Sequence, residues 1–156
     1  MKANFLKSLA LITTLFLFAA CNNDDDQNNN ETVIDYSELS EACKTTIETH
    51  FPNATATRVE MKNVPDSDGT VYEVNLSNGF EIDFDAECVW TDIDGNHQQV
   101  PDALIPDAIL DYVQTHYPSP LFIEGIDKEP YGYQVEISND IDLKFNADGS
   151  FIGIDN

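Results

Sequence analysis

Residues 72–78 read Tyr-Glu-Val-Asn-Leu-Ser-Asn, and residues 133–139 read Tyr-Gln-Val-Glu-Ile-Ser-Asn. In both stretches apolar side chains alternate with polar ones, a period typical of a strand with one buried face. The match extends further, so that residues 71–95 align with residues 132–156. Asn-Gly, Asn-Asp and Asp-Gly pairs separate the alternating stretches and are typical of tight hairpin turns. The sequence therefore predicts antiparallel hairpins in both segments.

A second pair of matching segments lies upstream of the hairpins, where residues 39–52 align with residues 105–118. Twelve of the 39 positions aligned in the two pairs are identical. Apolar residues recur every four positions in each upstream segment, which predicts a helix with one buried stripe. Aromatic-Pro pairs end both helices, because the residue before a proline avoids the helical region. Two copies of one structural unit are therefore predicted.

These patterns predict an α+β fold of two tandem repeats, each with one helix packed on a sheet of about four antiparallel strands. The duplicated domain covers residues 35–156, with the first repeat at about 35–98 and the second at about 99–156. One face of each sheet is expected to lie under its helix. The other face is expected to be solvated.

The solvated face is rich in acidic and polar side chains. It is expected either to be merely hydrated or to bind a protein or peptide with a basic surface, whose approach it would steer by charge. The candidate partner-binding residues are Glu73, Asn75, Glu81, Asp83 and Asp85 in the first repeat and Gln134, Glu136, Asp142, Lys144 and Asn146 in the second.

The charge of the chain excludes some classes of partner. The 156 residues include 29 acidic and 7 basic side chains, for a formal net charge of −22. Such a chain repels phosphate, so neither a nucleic-acid partner nor charge-driven binding to an anionic membrane is expected. Because 42% of the residues are hydrophobic, there is enough apolar material to bury a core.

The N-terminus carries an export signal. Lys2 and Lys7 precede an apolar run at residues 9–18, which ends in Ala-Ala-Cys at Cys21. This pattern is typical of a bacterial lipoprotein signal peptide, residues 1–20, cleaved before a cysteine that becomes acylated. An ordinary signal peptide and an uncut anchor are the alternatives, although the apolar run is short for a membrane span.

Residues 21–34 are predicted to form an acidic flexible linker that follows the acylated cysteine, because residues 22–31 contain no apolar side chain. The Asp24–Asp26 triplet resembles the signal that exports lipoproteins to the outer face of some Gram-negative outer membranes. We therefore expect a lipid-anchored outer-membrane protein displayed at the surface, or otherwise on the periplasmic face. The lipid anchor is the expected membrane contact.

No catalytic motif is found in the sequence, so an enzyme is not expected: nucleophile elbow, phosphate-binding Gly loop and His-Glu metalloprotease signature are all missing. No cofactor is predicted, and no His or Cys pair has zinc-site spacing. Asp92, Asp94 and Asp148 lie near glycines and are weak candidates for a Ca²⁺ site, with hairpin turns as the alternative interpretation.

Cys43 and Cys88 are the two thiols other than Cys21. In the oxidising cell envelope they can form a disulfide. The alternative is two buried thiols, because Cys43 aligns with the apolar Ile109 of the second repeat.

Three features recur in both halves of the sequence: the aromatic-Pro helix ends (51–52 and 117–118), the Tyr-x-Val-x-Leu/Ile strands and the Phe-Asp/Asn-Ala hairpins (84–86 and 145–147). Together they resemble the PepSY-like, β-lactamase-inhibitor-like family of bacterial secreted lipoproteins. The resemblance implies that the open sheet face is a binding surface. Some relatives are associated with the inhibition or escort of peptidases. A β-lactamase target is not carried over, because this chain lacks cysteine pairs within each repeat.

The combined prediction is a non-enzymatic envelope lipoprotein that binds a protein or peptide, with an inhibitor or chaperone-like role. The alternative is an envelope module that binds Ca²⁺ through its acidic surface.

Overall fold

The computed structural model describes residues 30–155. The predicted signal peptide at residues 1–20 and the predicted acylation site at Cys21 lie outside the described residues. Between residues 30 and 155, no helix is long and apolar enough to cross a membrane.

The described chain is built around one open antiparallel sheet of nine strands. The strands follow one another across the sheet in the same order as in the sequence, without a crossover. They are β1 (Glu31–Val33), β2 (Ala56–Lys62), β3 (Tyr72–Leu76), β4 (Glu81–Phe84), β5 (Trp90–Asp94), β6 (Ile123–Glu129), β7 (Gly132–Ile137), β8 (Ile141–Asn146) and β9 (Phe151–Asp155).

The predicted α+β fold of two repeats, each with a helix on its own four-stranded sheet, is wrong. A single nine-stranded sheet is accompanied, within residues 30–155, by two short α-helices, α1 (Glu41–His50) and α2 (Asp107–His116). The two halves merge because β5 pairs with β6, so that each strand satisfies backbone N–H and C=O groups that the other would leave unpaired at an edge. The ninth strand is β1, which lies within the segment 21–34 that the sequence predicts to be a flexible linker.

Both helices end directly before the aromatic-Pro pairs, as predicted, and each begins after a residue that caps or precedes its first turn. Before α1, the side chain of Ser40 accepts a hydrogen bond from the backbone N–H of Cys43, which caps the first turn. Pro106 precedes α2, and its carbonyl accepts the N–H of Ile109. The predicted apolar stripes are confirmed, since the helix positions that face the sheet are buried.

The core lies between the helices and one face of the sheet. Cross-strand pairing aligns apolar side chains in a continuous row on this face. The row consists of Val59, Val74, Ile82, Ile93, Ile126, Val135 and Leu143, all at most 3% exposed. Because side chains alternate across a strand, the residues on either side of each row member project from the opposite, open face.

The hairpin turns that face the two helices are held by different means. In the first half, a disulfide joins Cys43 of α1 to Cys88 in the β4–β5 turn, with Cα atoms 4.9 Å apart. In the second half, the aligned Gly149 packs so tightly that a Cβ there would lie 2.7 Å from the Cβ of Ala108. Both turn residues have positive φ, 61° for Cys88 and 80° for Gly149.

Candidate functional site

The polar side chains of the open face lie in two rows that cross the sheet, in which each residue stands opposite the next. The first row consists of Glu60, Glu73, Asp83, Asp92, Asp127, Gln134 and Lys144. The second row consists of Arg58, Asn75, Glu81, Asp94, Gly125, Glu136, Asp142 and Asp155.

Eight of the ten residues predicted on this face belong to the two rows, namely Glu73, Asn75, Glu81, Asp83, Gln134, Glu136, Asp142 and Lys144. The other two serve hairpin turns. Asp85 follows β4 and its Oδ1 accepts hydrogen bonds from the N–H groups of Glu87 and Val89, at 3.0 and 2.8 Å. Asn146 ends β8, and its Nδ2 donates to Ser150 Oγ at 2.8 Å.

One flank of the face is neutralised by Lys62, whose Nζ lies 3.1 Å from Glu31, 3.0 Å from Asp66 and 2.5 Å from Glu73. The lysine side chain is 5% exposed. Burial alone lowers the pKa of Lys62, but its hydrogen bonds to the three carboxylates outweigh burial and raise the pKa above its ordinary value. This ammonium group is therefore charged and fully engaged.

The two cations that belong to the rows, Arg58 and Lys144, also lie at the flanks. Arg58 Nε donates to Glu60 Oε2 at 2.7 Å, and Lys144 Nζ lies 2.9 Å from Asp155 Oδ1. In both rows, the positions contributed by β4 to β7 contain no Lys or Arg. The centre of the face is consequently anionic and has no cationic side chain in either row.

A depression of about 210 Å³ lies at this centre. Its middle is open because Gly125, on β6, places no side chain between Asp94 and Glu136 in the second row. We call it the central depression. Five carboxylates line it, together with Ile93, Gly125 and Gln134: Asp92, Asp94, Asp127, Glu136 and Asp142.

The carboxylates of the central depression are crowded enough to hold protons. The pKa of Asp92 is raised by burial, then by a hydrogen bond with the carboxyl group of Asp127 and by repulsion from that group. Its other neighbour in the row, Asp83, has a pKa raised to about 7, chiefly by burial and then by the charges of Glu73 and Glu81. Asp83 Oδ1 is buried and has no hydrogen-bond partner within residues 30–155. Neighbouring carboxylates thus compete for protons or cations.

The weak metal candidates of the sequence separate in the structure. Asp92 and Asp94 both line the central depression. Asp148 lies in the β8–β9 turn, where its Oδ1 accepts hydrogen bonds from the backbone N–H and the hydroxyl of Ser150, which lower the pKa of Asp148. The structure therefore gives Asp148 a role in a turn.

Sequence reasoning missed Asp127 and Gly125, both on β6. The two residues share the open face with Asp92 and Asp94 because β5 and β6 pair across the halves of the chain. Alternation around the buried Ile126 is the signal that assigns both to the open face. Their neighbours in space could not be found without the β5–β6 pairing.

Fold and site define a class of small sheet module, with helices on one face and an acidic surface on the other. The chain belongs to the PepSY-like family, described as "Putative beta-lactamase-inhibitor-like, PepSY-like", whose model matches residues 25–78 and 70–153. The resemblance stated from the sequence is confirmed at the level of this family.

Three solved structures from Bacteroides are similar to this chain. A "putative calcium-regulated periplasmic protein" from Bacteroides thetaiotaomicron is 31% identical, with a TM-score of 0.72 over 81% of this chain and 97% of that one. A "putative periplasmic protein" of the DUF2874 family from Bacteroides vulgatus is also 31% identical, with a TM-score of 0.71 over 86% and 99% of the two chains. Another Bacteroides vulgatus protein, "of unknown function", is 26% identical, with a TM-score of 0.73 over 81% and 99%.

No curated protein matches the chain. The family and the periplasmic descriptions of its neighbours fit a non-enzymatic module of the cell envelope.

Proposed function

We propose that this protein is a non-enzymatic module of the cell envelope that binds Ca²⁺ on its open sheet face. In this proposal an acyl group on Cys21 holds the module at the Gram-negative outer membrane. The observation that carries the proposal is the central depression, where five carboxylates line a volume of about 210 Å³. The positions that β4 to β7 contribute to the two rows contain no Lys or Arg.

Carboxylate oxygens are the ligands that Ca²⁺ prefers, and six to eight oxygens complete its coordination. The side chains of Asp92 and Asp127 stand opposite each other and those of Glu136 and Asp142 do the same, so an ion above Gly125 is within reach of two strand pairs. A divalent cation relieves the repulsion that raises the pKa of Asp92.

The description of a neighbour supports the choice of ion. The Bacteroides thetaiotaomicron protein, 31% identical over nearly its whole length, is described as calcium-regulated. We extend calcium binding from that description to this chain, with the central depression as the site.

Thermal melting with and without Ca²⁺ tests the proposal. For a dissociation constant of about 10⁻⁴ to 10⁻³ M, usual for extracellular modules, 10 mM CaCl₂ stabilises the folded state by about 1.4 to 2.7 kcal/mol. The melting temperature should rise by several degrees relative to NaCl of the same ionic strength. Asp92→Asn/Asp127→Asn should clearly reduce the rise.

The matched control is Asp111→Asn/Glu87→Gln, which removes two exposed carboxylates outside the two rows. Its calcium-dependent rise should equal that of the native protein. An equal rise in the Asp92/Asp127 variant and in the control would contradict a site in the central depression.

A basic protein or peptide is the second candidate ligand. Its supporting observation is the extent of the acidic surface, which continues beyond the central depression to Glu81 and Asp83 on β4. The family description as β-lactamase-inhibitor-like also favours a protein partner, whose inhibition or escort would be the biological outcome. Such a partner would associate faster at low salt.

Affinity capture from the cell envelope in EDTA tests the second candidate. The bait is the native protein, beside Glu81→Lys/Asp142→Lys and the control Glu87→Lys/Asp111→Lys. A basic protein retained by the native bait and the control, lost with the face variant and released by salt, is the expected result. Retention of the same proteins by all three baits would argue against binding by this face.

A further inference from the structure

A bulge in β6 lies beside the central depression. Ile123 stands opposite Ile137 and Gly125 stands opposite Glu136, so Glu124 is an extra residue in its strand. Its backbone carbonyl accepts the N–H of Gly95 at 2.7 Å. A bulge of this kind re-aims a side chain relative to the regular alternation.

The re-aimed carboxylate meets two others at this end of the sheet. Glu124, Glu136 and Asp140 each offer one oxygen, and the three oxygens lie within 4.8 Å of one another. Oxygens on opposite sides of a Ca²⁺ ion are roughly 4.6 to 5.2 Å apart, given Ca²⁺–O distances of about 2.3 to 2.6 Å. The three atoms therefore fit the coordination sphere of one ion.

The Glu124 side chain is buried, and its one ion-pair partner among residues 30–155 is the exposed imidazole of His97. The side chain of Glu124 is 7% exposed, and the nearest cationic group within residues 30–155 is His97. His97 Nδ1 is 3.6 Å from Glu124 Oε1, beyond hydrogen-bond range, and the imidazole is 83% exposed. A buried carboxylate is costly unless it is paired or coordinates a metal. Glu124 is aimed into the group formed with Glu136 and Asp140.

The charge around Glu136 agrees with this geometry. Its pKa is raised by burial first and then by the charges of Glu124, Asp142, Asp94 and Asp140. Glu136 therefore lies between two groups of carboxylates, those of the central depression and those of the bulge.

We propose that Glu124, Glu136 and Asp140 form a second Ca²⁺ site, which we call the bulge site. It rests on the proposed function, because it extends cation binding by the open face to a second ion. Glu136 contributes to both sites, since its side chain lines the central depression and also belongs to the bulge group. Water completes the coordination on the side of the exposed Asp140.

Isothermal titration of the full chain with CaCl₂ tests this assignment through stoichiometry. The native protein should bind two ions. Glu124→Gln, which preserves the shape of the side chain, should bind one. Asp140→Asn should also bind one, and it should fold normally because Asn tolerates the left-handed φ of 61° at this position.

Two further variants separate this proposal from the proposed function. Asp92→Asn/Asp127→Asn should retain the bulge site and bind one ion, and Asp111→Asn should bind two. A native protein that binds one ion, unaffected by Glu124→Gln and Asp140→Asn but lost in Asp92→Asn/Asp127→Asn, would overturn the bulge site and leave the proposed function intact. A native protein that binds no Ca²⁺ would overturn both.

Discussion

Asp92 occupies the most crowded position of the open face. It stands opposite Asp83 on one side and Asp127 on the other, so three aspartates lie side by side in one row. Burial and both neighbours raise the pKa of Asp92, and the folded protein therefore retains a proton that the unfolded chain releases near pH 4. In the proposed function, a Ca²⁺ ion bound at this point would replace the proton.

Asp92→Asn should stabilise the metal-free protein at pH 8. The stability that a raised carboxyl pKa provides is complete below the unfolded pKa and is lost as the pH rises, and an amide does not titrate. In EDTA at pH 8 the variant should melt higher than the native protein by about 3 °C or more, the effect of roughly 1 kcal/mol. The difference should shrink toward pH 4.

Asp111→Asn, an exposed site outside the two rows, should leave the melting temperature nearly unchanged at both pH values. A lower melting temperature for Asp92→Asn at pH 8 would show that the carboxylate stabilises the metal-free face, which is the opposite of what crowding of the three aspartates predicts.

The Cys43–Cys88 disulfide should contribute strongly to stability. Its 45-residue separation predicts an entropic stabilisation of about 4 kcal/mol as an upper estimate. Cys43→Ala/Cys88→Ala should therefore unfold at a clearly lower urea concentration than the native protein. A reductant should shift the native protein in the same direction and leave the variant unchanged. An unfolding midpoint of the native protein that ignores the reductant would contradict this expectation.

At the scale of elements, strand pairing creates the site. Asp92 and Asp94 come from β5, Gly125 and Asp127 from β6, and Glu136 from β7. Residues two positions apart on a strand project from the same face of the sheet. β5 and β6 therefore each place two residues at the central depression. Gly125 keeps it open, because a Cβ there would lie 3.4 Å from Glu136 Oε2.

Gly125→Val should clearly reduce the calcium-dependent rise in melting temperature, because a branched side chain fills the central depression. Gly153→Val is the matched control, since Gly153 lies on β9 opposite Lys144, the last residue of the first row, and a Cβ there has no neighbour within 4 Å. The control should keep the full rise. Equal responses of the two variants to CaCl₂ would place the ion elsewhere.

The sequence predicts the local elements well. Four-residue spacing finds α1 and α2, and period-two alternation finds the strands that contain Val74 and Val135, because these patterns follow from local geometry. The joining of the halves could not be predicted in this way. Pairs such as Asp92 with Asp127 connect residues far apart in the chain, and nothing in either local pattern specifies the partner strand.

At the scale of the whole molecule, charge is segregated across the sheet. The core face carries the helices and the disulfide, and the open face concentrates carboxylates at its centre with cations at its flanks. The formal net charge of −22 adds long-range repulsion to this local crowding. Protons, and the proposed Ca²⁺ or basic partner, would each relieve this repulsion.

The metal-free protein should lose stability as the pH rises from about 4 through about 7. The raised pKa of Asp83, about 7, sets this window, and the raised pKa values of Glu81 and Glu136 act in the same direction. Asp92 extends the loss to higher pH. Thermal melting in EDTA between pH 4 and pH 9 checks the profile.

Two carboxyl groups act in the opposite direction. The pKa values of Glu60 and Asp148 are lowered, mainly by hydrogen bonds from Arg58 and from Ser150, so their contribution is lost as the pH falls below about 4.5. A stability maximum on the acidic side of neutrality is therefore expected. A metal-free protein that becomes steadily more stable up to pH 9 would contradict the crowding of carboxylates on the open face.

Diffraction from crystals of the native protein grown with CaCl₂ tests the central claim most directly, because anomalous scattering locates Ca²⁺ without reference to stability. We predict an anomalous peak over Gly125, coordinated by carboxylate oxygens that include those of Asp92 and Asp127. At saturating CaCl₂, a map without a peak on the open face, or with peaks confined to lattice contacts, would contradict the claim that this face binds calcium.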